Sequence, residues 1–369
     1  MTQITPFASL VLNSLVLWFS SKSKEKEVRS VQVADYLRRL YYSPSESQTD
    51  SEVAVMYRGM LVPLDGSPLA EVVLPYARAL ASRFNLDLAL IYVADKRDSK
   101  SLLLPQAYVD RTADTIRREV AQDRRKRSGD IQGTRVAKVS GEVSVGSPAE
   151  EILRHADAND IDLILMATHG RSGISRWVMG SVADRVLRSS RIPVLLARAR
   201  IPQDIANNEW PSTILVPLDG SGLSELVLPH VVALAKQPNA RTTEVTLLMT
   251  CELVVPRFPS PESVAGWGEI AAKDMMKSKN SARKYLARIE KQLNDSGVKV
   301  GSQVLDGQPA EEIIHYASKK AFSLIAMTTH GSSGLSRWAY GSVAEKVLLA
   351  ASSPMLLVRP APPGDSLQT

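Results

Sequence analysis

Two short patterns in this chain gather residues able to hold an anion, and each occurs twice. The first is Asp65-Gly66-Ser67, after the apolar run 60–64, and again Asp219-Gly220-Ser221, after 214–218. The second is Gly170, nine residues, then Gly180-Ser181, and again Gly331, nine residues, then Gly341-Ser342. Glycine lets backbone N–H groups come close to an anion. A helix starting at Gly180-Ser181 adds unpaired N–H donors and the positive end of its dipole. Ser181 can cap that helix or donate its hydroxyl to a phosphate oxygen. Asp65 can accept from sugar hydroxyls or hold a hydrated cation. In one copy alone the same glycines equally fit tight turns, and Asp-Gly is a common turn pair. His169 and His330 stand beside the loop glycines. No carboxylate lies at a spacing that would orient either as a base, so bonds to loop backbone, or ligand contact through main chain, are expected of them.

The elements that position these residues follow from repeat length and hydrophobic spacing. The two patterns recur with offsets of 154 and 161 residues, so a whole domain is repeated, with a net seven-residue insertion in the second copy. Solenoid repeats are shorter, ~20–50 residues. Apolar strands are expected at 59–64, 86–94, 136–145, 161–167 and 193–197. Helices are expected at 69–84, 102–127, 148–158 and 180–190, with Ser147 as an N-cap before Pro148. The second copy repeats the order, with strands at 213–218, 244–251, 298–305, 322–328 and 354–358. Its helices fall at 223–236, 271–294, 309–317 and 341–351. Most strands are apolar on both faces, which implies a parallel sheet covered on both sides. Ligands of such sheets bind beyond the carboxyl ends of the strands, where both patterns fall. The expected organisation is an N-terminal extension 1–56, a first domain 57–199, a linker 200–211, a second domain 212–360 and a tail 361–369. The extra length lies mainly in 252–268, expected as a loop over the sheet edge.

At these residues the chain resembles the universal stress protein family in its tandem two-domain form. The family signature is Gly-x2-Gly-x9-Gly-Ser/Thr. It corresponds to Ala167-Thr168-His169-Gly170 with Gly180-Ser181, and to Thr328-Thr329-His330-Gly331 with Gly341-Ser342. The resemblance implies an α/β fold of two doubly wound open parallel five-stranded sheets, strand order 3-2-1-4-5. It implies that the copies pack as a pseudo-twofold pair, as the family's homodimers do, and leaves a further homodimer open. It also implies ATP as ligand, with Mg²⁺ as an optional companion. The nucleotide-binding residues it carries over are Pro63, Asp65, Val93, Met166, Ala167, His169, Gly170, Gly180, Ser181 and Val182. A second, weaker site would use Pro217, Asp219, Thr250, Thr328, His330, Gly331, Gly341, Ser342 and Val343.

Both copies depart from the signature at its first glycine. Ala167 is a mild change, whereas β-branched Thr328 disfavours positive φ. Thr250 puts a hydroxyl where the first copy has Val93, at a position that would face an adenine ring. The first copy is therefore expected to bind ATP roughly tenfold more tightly. No base or arginine finger is evident. The favoured reading is a nucleotide-linked conformational protein in stress response or signalling, with slow or no hydrolysis. A protein-interaction scaffold without nucleotide stands as an alternative, as does an ATPase or adenylyl-transfer enzyme using 252–268 for its second substrate.

Composition narrows the field. Forty-five Lys and Arg face 39 Asp and Glu, mostly interspersed, which argues for solubility rather than a nucleic-acid surface. The run Arg124–Arg127 ends a helical stretch, where cations are favoured. The single Cys251 excludes an internal disulfide and fits a reducing, cytoplasmic compartment. The apolar run 7–19 is shorter than the ~20 residues a membrane span needs; no membrane segment is expected, and a surface anchor is the minority reading. Residues 31–42 suit a short amphipathic helix, and 43–51 disorder. Dinucleotide, P-loop and nucleophile-elbow motifs are missing, as is any metal-ligand cluster. His155, His230 and His315 fall on expected helices and need no role. Arg176-Trp177 and Arg337-Trp338 recur inside the glycine loop, where packing explains them as well as a ligand does.

Overall fold

A computed structural model describes residues 56–95, 102–128, 137–168, 179–198, 203–206, 210–236, 243–252, 267–330 and 340–360. Arg58–Pro360 form one compact unit. The N-terminal runs, the tail, most of 252–268 and both Arg-Trp pairs lie outside the described residues.

The first repeat runs β1 (Gly59–Leu64), α1 (Pro68–Glu71), α2 (Leu74–Phe84), β2 (Asp87–Ala94), α3 (Leu103–Ser128), β3 (Val139–Val145), α4 (Pro148–Ala158), β4 (Leu163–Ala167), α5 (Ser181–Ser189) and β5 (Val194–Ala197). A short α6 (Gln203–Ala206) comes next. The second repeat runs β6 (Thr213–Pro217), a 3-10 turn (Ser224–Val227), α7 (Leu228–Ala235), β7 (Glu244–Cys251), α8 (Trp267–Asp295), β8 (Lys299–Asp306), α9 (Pro309–Lys320), β9 (Leu324–Thr328), α10 (Ser342–Ala350) and β10 (Met355–Val358).

Sheet order is β3-β2-β1-β4-β5-β10-β9-β6-β7-β8. Each half keeps the expected 3-2-1-4-5 order with parallel neighbours; Met60 pairs with both Leu88 and Leu163, which makes β1 central. The two sheets are not separate, however. β5 and β10 pair antiparallel, Leu195 opposite Leu356, and fuse them into one ten-stranded sheet. Both edge strands are buried along their whole length. An apolar edge with unpaired backbone groups would invite aggregation, and pairing the two removes both edges. One core cluster spans the join, including Met166, Val186 and Leu196 from the first repeat and Met327, Val347 and Leu357 from the second.

Three expectations change in detail. The helix expected over 69–84 is broken: α1 ends at Glu71 and α2 begins afresh with Pro75 in its first turn, where the missing N–H costs nothing. Ser147 occupies the N-cap of α4 but its side chain makes no capping bond. The linker is partly structured. Asp204 of α6 accepts from the backbone and hydroxyl of Ser212 at 2.9 and 2.7 Å. Trp210 is fully buried, edge-on to Tyr76 with ring centroids 5.0 Å apart, and donates to Ser323 O at 2.8 Å. Among the described residues, no helix is long and apolar enough to cross a membrane, and no cluster of His, Cys, Asp and Glu could hold a metal.

Candidate functional site

The Asp-Gly-Ser turns are built alike. Each comes after a central strand and is closed by its own aspartate: Ser67 N donates to Asp65 Oδ1 at 2.9 Å, and Ser221 N to Asp219 Oδ1 at 2.9 Å. Gly66 and Gly220 take φ of 76° and 82°, which an L side chain rarely adopts. The serines then cap the next helical turn, Ser67 Oγ accepting from Ala70 N and Ser221 Oγ from Ser224 N, both at 3.2 Å. The turn therefore holds its aspartate at the carboxyl edge of the sheet.

The second pattern brings a helix start against a strand end. Gly180 N donates to Thr168 O at 2.9 Å, and Gly341 N to Thr329 O at 2.8 Å. Both glycines are N-caps, of α5 and α10, and neither helix has a side-chain cap. Ser181 and Ser342 are thus first helical residues, and of the two roles open to Ser181, capping the helix or donating to a phosphate, the first is not taken. The helical ladder begins with Asp184 N to Gly180 O and Glu345 N to Gly341 O, at 2.9 and 3.0 Å. The three N–H groups before it in each helix precede any intrahelical acceptor. They and the helix dipole form a ready anion site.

In the second repeat these parts meet. Pro217, Asp219, Thr250, Thr328, His330, Gly341, Ser342 and Val343 all line one cavity of about 300 Å³, within the size range of ligand pockets. Gly331 lies outside the described residues. Leu248, Met249, Ile313 and Met327 supply an apolar wall, while Asp219, Thr329 and Ser342 supply polar groups. Asp219 is the one carboxylate among the described lining residues, and no Lys or Arg is among them. Among the described lining residues, positive potential comes from helix N–H groups rather than side chains. His330 is buried; its Nδ1 lies 3.0 Å from Thr329 Oγ1, and its carbonyl accepts from Thr328 Oγ1 at 2.8 Å. The ring thus meets a neighbouring hydroxyl, and the loop from Gly331 onward, the expected backbone partner, lies outside the described residues.

Gly341 tests whether the site suits a close ligand. Its φ and ψ are −68° and 150°, open to any residue. A Cβ there would meet nothing nearer than Thr329 O at 3.5 Å. Among the described residues a Cβ would thus find only ordinary van der Waals contact, so neither backbone angles nor packing requires a glycine here.

In the first repeat, Pro63 lies in β1 and Asp65 just after it, Val93 in β2, and Met166 and Ala167 at the end of β4. Gly180, Ser181 and Val182 start α5. His169 and Gly170 lie outside the described residues.

The universal stress protein family model matches residues 56–198 and again 212–359. This chain belongs to the universal stress protein family. Universal stress protein MJ0531 of Methanocaldococcus jannaschii is 34% identical over 146 residues, covering 40% of this chain and 81% of that protein. Universal stress protein Rv2005c of Mycobacterium tuberculosis is 22% identical over 303 residues, covering 82% of this chain and 97% of that one. The crystal structure of a universal stress protein from Archaeoglobus fulgidus shares the fold, with a TM-score of 0.53 at 18% identity over 82% of this chain and 96% of that one.

Within this tandem universal stress protein, the φ penalty expected at Thr328 does not arise. It presupposes a left-handed backbone, but Ala167 and Thr328 are the last residues of β4 and β9. Strand backbone suits a β-branched residue. Other residues of the cavity wall are absent from the sequence-based set. Met327 is the repeat counterpart of Met166, so the internal repeat itself is a signal for it. Pro309 and Ile313 of α9 reach the cavity only through the crossover packing of the fold, which no local pattern announces.

Proposed function

We propose that this protein binds ATP in each repeat and acts through nucleotide-linked conformation in stress response or signalling, in a reducing cytoplasmic compartment. The observation that carries the reading is the second-repeat cavity, where Asp219, the β7 and β9 ends and the uncapped start of α10 converge. The apolar wall suits a base, Asp219 suits a ribose or a Mg²⁺-bound group, and the helix N–H groups suit phosphates. The missing first glycine, the main support for a scaffold without nucleotide, loses its force once that position is a strand residue. Among the described lining residues, Asp219 closes its own turn and the His330 ring meets Thr329 Oγ1, an arrangement with no evident base for water, which supports ATP as a conformational ligand. The ranking of sites now rests on Val93 against Thr250 alone. A hydroxyl in place of a methyl weakens an apolar slot by about 1 kcal/mol, so the first site remains the tighter one.

The test is calorimetric titration of the full chain with ATP, with and without Mg²⁺, beside analysis of nucleotide released on denaturing the purified protein. Two binding events, the tighter lost in Gly180→Trp and the weaker in Gly341→Trp, are expected. Unchanged affinity in both variants would refute the phosphate assignment, and steady turnover would favour an enzyme.

A further inference from the structure

The frame around the two sites repeats in outline, but the contacts made by Tyr340 and Asp184 do not. Arg198, after β5, donates to the carbonyls of Leu348 and Leu349 in the last turn of α10. Arg359, after β10, donates to the carbonyl of Arg188 in the last turn of α5. Leu349 and Arg188 are repeat counterparts, so these caps are reciprocal, each cation sitting at the negative end of the opposite copy's helix. Tyr340 has no such mirror image. Its hydroxyl lies 3.1 Å from Asp184 O and 3.0 Å from Asp184 Oδ1. The Arg188 guanidinium stands 4.9 Å from its ring centroid, while Arg188 Nε holds Asp184 Oδ2 at 2.7 Å. The counterpart of Tyr340 is Met179, which has no hydroxyl, and that of Asp184 is Glu345. The reverse contact cannot form.

The position of this contact gives it a consequence. Tyr340 directly precedes Gly341-Ser342, the start of α10. Asp184 lies in the first turn of α5, and its N–H closes on Gly180 O at 2.9 Å. One side chain from the second repeat's helix start therefore holds the first turn of the first repeat's site helix. Tyr340 itself does not line the described cavity, so it is a positioning residue. Burial and the neighbouring Asp184 carboxylate push its hydroxyl's pKa up, so it stays a donor.

We propose that Tyr340 couples the two nucleotide sites. A phosphate filling the first site fixes the first turn of α5, and the bond from Tyr340 to Asp184 then holds Gly341 and Ser342 in place. The second site consequently binds ATP more tightly when the first is filled, and linkage requires the reverse effect to be equal. This rests on the ATP reading above.

The experiment titrates ATP into the full chain as wild type, Gly180→Trp, Tyr340→Phe and the double variant. Gly180→Trp blocks the first site and reports the second alone. With Tyr340 present, that block should weaken the second site by about fivefold or more. In the Tyr340→Phe background, which keeps the ring over Arg188, the block should leave second-site affinity unchanged. Asp184→Ala removes the side-chain acceptor from the other side; it should reduce the coupling too, and it decides the matter if Tyr340→Phe fails to fold. Equal weakening in both backgrounds, or none in either, overturns the coupling while leaving the ATP reading intact. A wild type that takes up no ATP at either site overturns both.

Discussion

Gly341 takes backbone angles open to any residue, and a Cβ there would find only ordinary contacts. Gly341→Ala should therefore keep its unfolding free energy within about 0.5 kcal/mol of wild type. The same methyl stands where phosphate would approach the helix N–H groups, so ATP affinity should fall although stability does not. Chemical denaturation and calorimetry on one preparation separate the two, and a variant that loses both would return this glycine to a structural role. His230 makes a different kind of prediction. It is fully buried on α7, and burial pushes its pKa from 6.5 down to about 3. Between those values the unfolded chain carries a proton that the native chain does not. The stability contributed by the neutral ring is thus complete above about pH 6.5 and lost as pH falls toward 3. One such proton is worth about 1.4 kcal/mol per pH unit. The stability advantage of wild type over His230→Gln should shrink by about that slope below pH 6.5, measured by denaturant unfolding. A pH-independent advantage would mean that the ring charges freely in the fold.

At the scale of elements, the Asp-Gly-Ser turn separates conformational cost from packing cost. Gly220 has φ of 82° but meets only Met249 Cε, at 3.6 Å, if given a Cβ. Gly220→Ala should cost about 1 kcal/mol from backbone alone, read as a lowered denaturation midpoint with an unchanged slope. A neutral effect would show that the turn relaxes to ordinary φ. These turns, the strand ends and the glycine spacing were legible because local pattern decides them: an apolar run, Asp-Gly, then a helix start. Legibility stopped where a distant partner decides. Helical spacing continues through Val72 and Val73, so nothing but Pro75 marks the break before α2. Trp210 reads as a linker residue until Ser323, more than a hundred positions away, is found accepting its N–H. The apolar run already placed Thr328 at the end of an expected strand, 322–328, as observed, and the φ penalty came from reading the signature's first glycine as a left-handed position instead.

For the whole molecule, the join between repeats determines what the chain can be divided into. β5 and β10 are four-residue strands buried along their length, and their pairing completes one sheet. A fragment ending near residue 199 would leave β5 with unpaired backbone groups on an apolar edge, which seeks another strand. The matching edge is β10, and the guanidinium caps from Arg198 and Arg359 and the Tyr340–Asp184 bond are all made across the same join. Two of these contacts have counterparts that a pair of identical fragments could reproduce. The third does not, because Met179 replaces Tyr340. Co-expressed fragments 1–199 and 200–369 should therefore assemble as an equimolar complex in preference to either self-pair, and Asp184→Ala should shift the balance toward self-pairing of the first fragment. Sedimentation velocity at micromolar concentration distinguishes these species. Fragments that stay monomeric would mean that the linker, with Trp210 packed between Tyr76 and Ser323, holds the repeats together and the sheet join is secondary to it.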